Sequence, residues 1–204
     1  MSAKRLAALV VPVLVLISSA WAQRNELSAT VGRTFVSTET VPSTGYPVHF
    51  GNPVSFAFDY TRYFKSYKIF GFSAEVPVAI YPHMNLNYYP GNIPANVGAM
   101  FITPSLRVNM FSADSVSPWV SVGGGYGRFW QSSNLYYAGS NPGPSGTNTG
   151  VFQFGGGLDV WFWQNWGARV EARDFYSGDP SLDVTTVNSR QHNYYVGVGV
   201  IHRF

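Results

Sequence analysis

The chain has 204 residues and a formal charge of +3, yet only 11% of its residues are charged, less than half the roughly 25% usual in soluble domains. Aromatic residues reach 17%, which excludes a solvated disordered chain. The absence of cysteine excludes a disulfide or thiolate-zinc scaffold, and beyond the N-terminus no apolar run approaches the roughly 18 residues of a spanning helix.

Residues 1–22 read as a signal peptide. Lys4 and Arg5 supply a positive start, residues 6–17 an apolar core, and Ala20-Trp21-Ala22 a small–x–small cleavage pattern. Cleavage after Ala22 lowers the formal charge to +1, and no cysteine follows to carry a lipid anchor. The remaining chain has no Lys/Arg cluster, so nucleic acid is not an expected partner.

After residue 22 the dominant period is two, the period of half-buried strands. Eight segments show it. Their more apolar faces begin with Leu27, Ala29 and Val31, then Val54, Phe56, Phe58 and Tyr60, then Phe70, Phe72, Ala74, Val76 and Val78. The fourth runs unbroken from Met100 through Ile102, Pro104, Leu106 and Val108 to Met110. The later four carry Val120, Val122 and Tyr126; Phe152, Phe154, Leu158 and Val160; Trp166, Ala168, Val170 and Ala172; and Tyr194, Val196, Val198 and Val200.

Links between these segments alternate in length. Residues 65–68, 112–115 and 162–165 are short, whereas 36–53, 81–98, 131–149 and 177–191 are long and rich in Pro, Gly, Asn, Ser and Thr. Strict alternation of short turns and long loops is the signature of an up-and-down barrel threaded through a membrane. The expected fold is all-β: an eight-stranded antiparallel up-and-down transmembrane β-barrel over residues 23–204, after a cleaved signal peptide.

Charge placement agrees with that reading. Asp59, Glu75, Arg107, Asp159, Arg169, Glu171 and Arg173 fall on the less apolar faces, which would line the lumen. Arg33, Arg62, Arg128 and Asp174 fall on the other face but near strand ends, where a long side chain reaches water. Aromatic residues cluster beside two short turns: Tyr63, Phe64, Tyr67 and Phe70 at one, Trp161, Phe162, Trp163 and Trp166 at another. Such rings suit the headgroup level of a bilayer.

The last segment ends at Phe204, preceded on one face by Val200, Val198, Val196 and Tyr194. This resembles the C-terminal recognition strand of bacterial outer-membrane proteins, with His202 standing where an aromatic such as Tyr is more usual. Gly155-Gly156-Gly157-Leu158-Asp159, a Trp-rich turn and the strand from Trp166 to Asp174 are similar to a strand–turn–strand of the small outer-membrane β-barrel family, which includes the transmembrane domain of outer-membrane protein A. The resemblance implies a porin-like outer-membrane protein of a Gram-negative-type envelope. Its implied partners are the outer-membrane lipid, the barrel-assembly machinery, and an extracellular ligand held by the loops. No peptidoglycan-binding domain is expected after the barrel.

Candidate chemistry is sparse. The glycine runs 123–125 and 155–157 lack the Lys-Ser/Thr and helix of a phosphate loop and suit close backbone approach in strands. His49, His83, His192 and His202 show no metal-ligand spacing, so no cofactor is expected. Ser189, His192 and Asp183 could form a nucleophile–base–acid set of an outer-leaflet lipid enzyme only if brought within hydrogen-bond reach. The inward charges allow two readings: a structural salt-bridge plug, or a narrow ion path. The leading expectation is a non-enzymatic barrel with a polar, plugged interior and a structural or surface-interacting role carried by its external loops.

Overall fold

Alternating β-branched, aromatic and small polar residues favour extended backbone with two distinct faces, and the chain adopts it throughout. The computed structural model describes residues 24–111, 115–137 and 139–204; the expected signal peptide lies outside them. Among the described residues eleven strands form: β1 (Asn25–Val36), β2 (Glu39–Thr40), β3 (Pro47–Phe50), β4 (Val54–Tyr67), β5 (Phe70–Asn87), β6 (Asn96–Ile102), β7 (Ser105–Met110), β8 (Val116–Gln131), β9 (Gly146–Trp161), β10 (Trp166–Gly178) and β11 (Arg190–Arg203).

Each long strand pairs antiparallel with its neighbours in sequence, and the last pairs with the first. β11 meets β1 from Glu26↔Arg203 to Val36↔Asn193, so the sheet closes on itself. Closure leaves no unpaired barrel edge, as a strand structure in lipid requires. Strands β6 and β7 both lie between β5 and β8. They are two halves of one barrel position, which makes eight positions in all. The fourth segment is therefore broken rather than continuous. Pro104, at the break, has no N–H to give the ladder. Outward parity survives the break, with Met100 and Ile102 on one side of it and Leu106 and Val108 on the other.

Short turns and long loops alternate. Residues 68–69 and 162–165 close the lower end, where β7 also ends and β8 begins, and residues 37–53, 88–95, 132–137, 139–145 and 179–189 form the upper end. The long connections are shorter than the sequence reading had them, because β5 climbs to Asn87 and β6 and β9 start at Asn96 and Gly146. Alternation fails to mark this extension because of a bulge in β5, where the register against β6 shifts between Tyr81 and Met84. Below the bulge Val76 and Val78 face outward; above it Met84 and Leu86 are buried inside. An inserted residue in a strand reverses the faces beyond it.

The outer surface between the two ends is an apolar belt. Leu27, Val31, Phe56, Phe58, Leu106, Val120, Val122, Phe154, Val170, Val198 and Val200 all expose a large part of their side chains. In water such a surface would be an aggregation site; in hydrocarbon it is the solvated face. The aromatic clusters at the lower turns divide. Phe64, Tyr67, Phe70, Phe162, Trp163 and Trp166 are exposed at the belt's edge, but Tyr63 is buried and Trp161 is partly so. Both keep the inward parity of their strands, Tyr63 with Asp59 and Thr61, and Trp161 with Asp159.

Candidate functional site

The lumen is filled in two tiers of different chemistry. In the lower tier, all seven charged residues read from the alternation are buried: Asp59, Glu75, Arg107, Asp159, Arg169, Glu171 and Arg173. Arg169, Glu171 and Arg173 follow one another at every second residue of β10 and so project to one face. Arg173 reaches three acids at once, with Nη1 2.6 Å from Glu75, Nη2 3.0 Å from Asp59 and Nε 2.9 Å from Glu171. Arg169 grips Asp159 through Nε at 2.7 Å and Nη2 at 2.9 Å. Its Nη1 donates to Ser28 at 2.8 Å and to Asp59 at 3.3 Å. Arg107 completes the set from β7 by pairing with Asp159 and lying 3.6 Å from Glu75.

Trp119 on β8 is the centre of this tier. Its Nε1 donates to Asp159 at 3.2 Å, and its ring lies 4.3, 4.8 and 5.1 Å from the guanidinium carbons of Arg107, Arg173 and Arg169. Three guanidinium groups around one indole give cation–π attraction in a place free of water competition. The glycine run makes room for it: a Cβ on Gly157 would stand 2.7 Å from Trp119 Cζ2, and one on Gly155 2.7 Å from Arg173 Cγ. These glycines serve packing, and neither run opens a helix.

Below this tier lies a group that charge reading on the strands left out. Glu26 is buried, 3.0 Å from Arg203 and 3.4 Å from Arg24. Arg203 stacks 3.7 Å over Trp161, and Arg24 lies 5.0 Å over Tyr63. Glu26 shares the parity of Ser28 and Thr30, so the signal was present one step before the first segment was begun. Arg24, Arg107, Arg169, Arg173 and Arg203 are matched by Glu26, Asp59, Glu75, Asp159 and Glu171, so the lower tier is electrically balanced. Burying charges costs several kcal/mol per ion unless partners are well placed; here each arginine has at least one.

The upper tier qualifies the expectation of a polar interior. Above Arg173 the largest inward side chains are apolar: Phe101 stacks on Phe175 at 5.1 Å and meets Phe129 at 5.7 Å and Tyr81 at 6.1 Å. Polar side chains are buried at this level too, with the Tyr81 hydroxyl donating to Asn193 at 3.2 Å and Asn193 donating to Ser177 at 3.1 Å. Ala57, Ala79, Val97, Ala99 and Val151 fill around them, and Met84 and Leu86 join above the bulge. Loop residues Val41, Val48, Tyr88, Ile93 and Leu182 cap the same cluster. An eight-stranded barrel has just enough room for its own side chains, and here the room is used.

The remaining candidates are scattered. His192 is held by Asp174, Nδ1 to Oδ2 2.7 Å, and its ring stacks between Tyr176 and Tyr194 at 4.7 and 5.4 Å. The carboxylate on His192 is thus not that of Asp183, which is exposed in the last loop beside Gly143. His83 bonds Asn85 at 2.8 Å and His49 lies 3.4 Å from Thr38. No group of three His, Cys, Asp or Glu side chains suited to a metal ion occurs among the described residues.

On β11, Tyr194, Val196, Val198 and Val200 face outward and Phe204 is exposed. Phe204 and Asn25 exchange two backbone hydrogen bonds at 3.0 and 3.1 Å, which tie the end of the chain to the start of β1. His202 lies 4.5 Å from Trp166 and stacks 6.1 Å from Phe204. The imidazole thereby takes an aromatic place in the lower girdle.

An apolar belt around a closed, filled, eight-position sheet is matched by solved structures. OprG from Pseudomonas aeruginosa aligns with a TM-score of 0.55 at 10% identity, covering 90% of this chain and 96% of that one. The chain has the fold of the small outer-membrane β-barrels. The attachment invasion locus protein Ail of Yersinia pestis, in complex with the heparin analogue sucrose octasulfate, aligns with a TM-score of 0.51 at 16% identity, covering 89% and 99%. No family model and no curated protein matches the sequence. The barrel thus shares the fold of outer-membrane proteins, and its individuality lies in its lumen and its loops.

Proposed function

We propose that this outer-membrane barrel is a closed, non-enzymatic scaffold that presents its long external loops for surface interaction. The observation that carries the reading is the two-tier lumen: an ion-paired lower tier tied from wall to wall, and an apolar upper tier sealed by residues of the loops themselves. A conducting path would have to break the Arg173 pairs with Glu75 and Asp59 and also part Phe101 from Phe175. A structure that invests its lumen in holding the loops, and keeps its loop tips exposed, leaves the tips as the working surface.

The smaller claims of the reading rest on sequence. Residues 1–22 are proposed as a cleaved signal peptide, and residues 23–204 as the barrel domain. Tyr194, Val196, Val198, Val200 and Phe204 are proposed as the strand read by the barrel-assembly machinery. The seven-residue lumen network is proposed as structural.

Purified barrel in planar bilayers, and attachment of barrel-bearing cells to surfaces, test the reading together. It expects no stepwise conductance, and attachment lost when the tips of loops 88–95 and 132–145 are replaced by Gly-Ser while heat-modifiable migration is kept. Steady single-channel steps abolished by Arg173→Ala would establish the pore instead. Hydrolysis of labelled lipid A lost in His192→Ala would establish an enzyme.

A further inference from the structure

The upper end of the barrel carries an exposed tyrosine platform on loops that hold no lysine or arginine. Tyr46 of the first loop and Tyr89 of the second have ring centroids 5.3 Å apart, and Tyr136 and Tyr137 of the third lie 5.0 Å apart. Tyr89 is 71% exposed and Tyr137 64%. The two pairs form one surface, because Gly91, at φ +75°, turns the second loop directly against the Tyr137 ring. A side chain at position 91 would both strain that backbone and occupy the ring's place.

This platform is pre-organised. Thr44 and Tyr88 share a hydroxyl hydrogen bond of 2.8 Å beneath it, and Val41, Val48, Tyr88 and Ile93 are buried in the upper core. A binding surface fixed in advance loses less entropy when it is occupied.

Its chemistry is selective. The four loops, residues 37–53, 88–95, 132–145 and 179–189, contain none of the chain's 13 lysines and arginines. Their acids are Glu39, Asp179 and Asp183, and the rest is dominated by Pro, Gly, Asn, Ser and Thr. A sulfated or phosphorylated ligand on the platform would meet the loops' acids and none of their own cations; Arg33, whose Nη1 donates to Asn52 O at 2.7 Å, and Arg190 stand on the strand ends. A standard protein partner covers about 800 Å² and centres on Trp, Arg or packed apolar anchors. Among the described loop residues only Val187 joins the tyrosines as a large exposed apolar side chain. An uncharged sugar fits better: its C–H face covers an aromatic ring, its hydroxyls pair with amides and hydroxyls, and it needs no charge.

We propose that the loop end binds an uncharged polysaccharide, with sugar rings stacked on Tyr89 and Tyr137. The proposal deepens the surface-interaction reading and rests on it. Full-length barrel in zwitterionic nanodiscs is titrated with fluorescent dextran, mannan and galactan, with dextran sulfate and lysozyme as anionic and basic-protein probes. At least one neutral polysaccharide is expected to bind. Tyr89→Ala with Tyr137→Ala is expected to weaken it about tenfold or more, a loss of roughly 1.4 kcal/mol or more, with heat-modifiable migration unchanged. Affinity should hold within about twofold between low and high salt, since no ion pair is involved.

Failure of all three neutral polymers to bind, binding by dextran sulfate or lysozyme alone, or indifference to the tyrosine substitutions would each overturn the proposal. Loop-dependent cell attachment without polysaccharide binding would overturn the sugar and leave the surface-interaction reading standing. Loss of both would remove both.

Discussion

Trp119 donates its indole N–H to Asp159 at 3.2 Å while its ring faces the Arg107 guanidinium 4.3 Å from the centroid. One side chain thereby holds an acid by its edge and a base by its face. Its site exists because Gly157 opposes it on β9. Gly157→Ala is expected to lower the temperature of heat-modifiable unfolding markedly, by about 1–3 kcal/mol of overpacking. Gly124→Ala, where the nearest atom to a new Cβ is Val151 O at 3.4 Å, should change it little. Equal effects at both positions would deny Trp119 its place.

Arg173 satisfies Glu75, Asp59 and Glu171 together. Removing it leaves buried acids uncompensated, so Arg173→Ala is expected to cost about 3–5 kcal/mol. Arg173→Met with Glu75→Leu should recover part of that loss, since the hydrophobic pair leaves fewer charges to satisfy. Denaturant unfolding of the refolded barrel reads both.

The stacked pair Phe101 and Phe175 seals the upper tier. Phe101→Ala is expected to destabilise by about 3–5 kcal/mol. Conductance should appear only when both tiers are opened, in Phe101→Ala, Phe175→Ala, Arg173→Ala barrels, and not in Arg173→Ala alone. Planar-bilayer recordings separate the cases.

Asp179, in the last loop, is pushed up to about 6 by burial, against a hydrogen bond from Thr186 that lowers it and the nearby Glu39 charge that raises it further. The folded loop therefore binds a proton more readily than the unfolded one. Its contribution to stability is complete below about pH 4 and is lost as pH rises through about 6. Hydrogen exchange in residues 179–189 should be slower at pH 5 than at pH 8 after correction for intrinsic rates. Asp179→Asn should remove the difference.

His202 sits in a ring row with Trp166 and Phe204. His202→Tyr is expected to leave stability unchanged or raise it slightly. Deleting Phe204 is expected to lower the yield of barrel assembled in cells several-fold while the protein refolded in detergent melts nearly as before. A parallel fall in both would make Phe204 a packing residue and not an assembly signal.

Period-two alternation made most of this barrel legible from its residues. Asp59, Glu75, Arg107, Asp159, Arg169, Glu171 and Arg173 could be assigned to one face because each lies an even number of residues from its inward strand-mates. What sequence could not supply was the place where parity changes. The extra residue between Tyr81 and Met84 carries no local signature, so Met84 and Leu86 read as loop. With them the apolar upper tier stayed hidden. Trp161 and Tyr63 lie on the inward parity of Asp159 and Asp59, so their place under Arg203 and Arg24 was legible too; nearness to a turn, which suits lipid anchor and plug alike, hid it. Glu26 was legible and overlooked, one step beyond a segment begun at its first apolar residue.

That bulge in β5 also sets what a small change in chain length would do. Removing one residue between Tyr81 and Met84 would leave those two residues two apart, so Met84 and Leu86 would stay on the inward face and Met84 would still oppose Val97. Only the local bend and extra twist of the bulge would be lost. The one peptide unit that hides the upper tier from the alternation is one that the seal itself can spare.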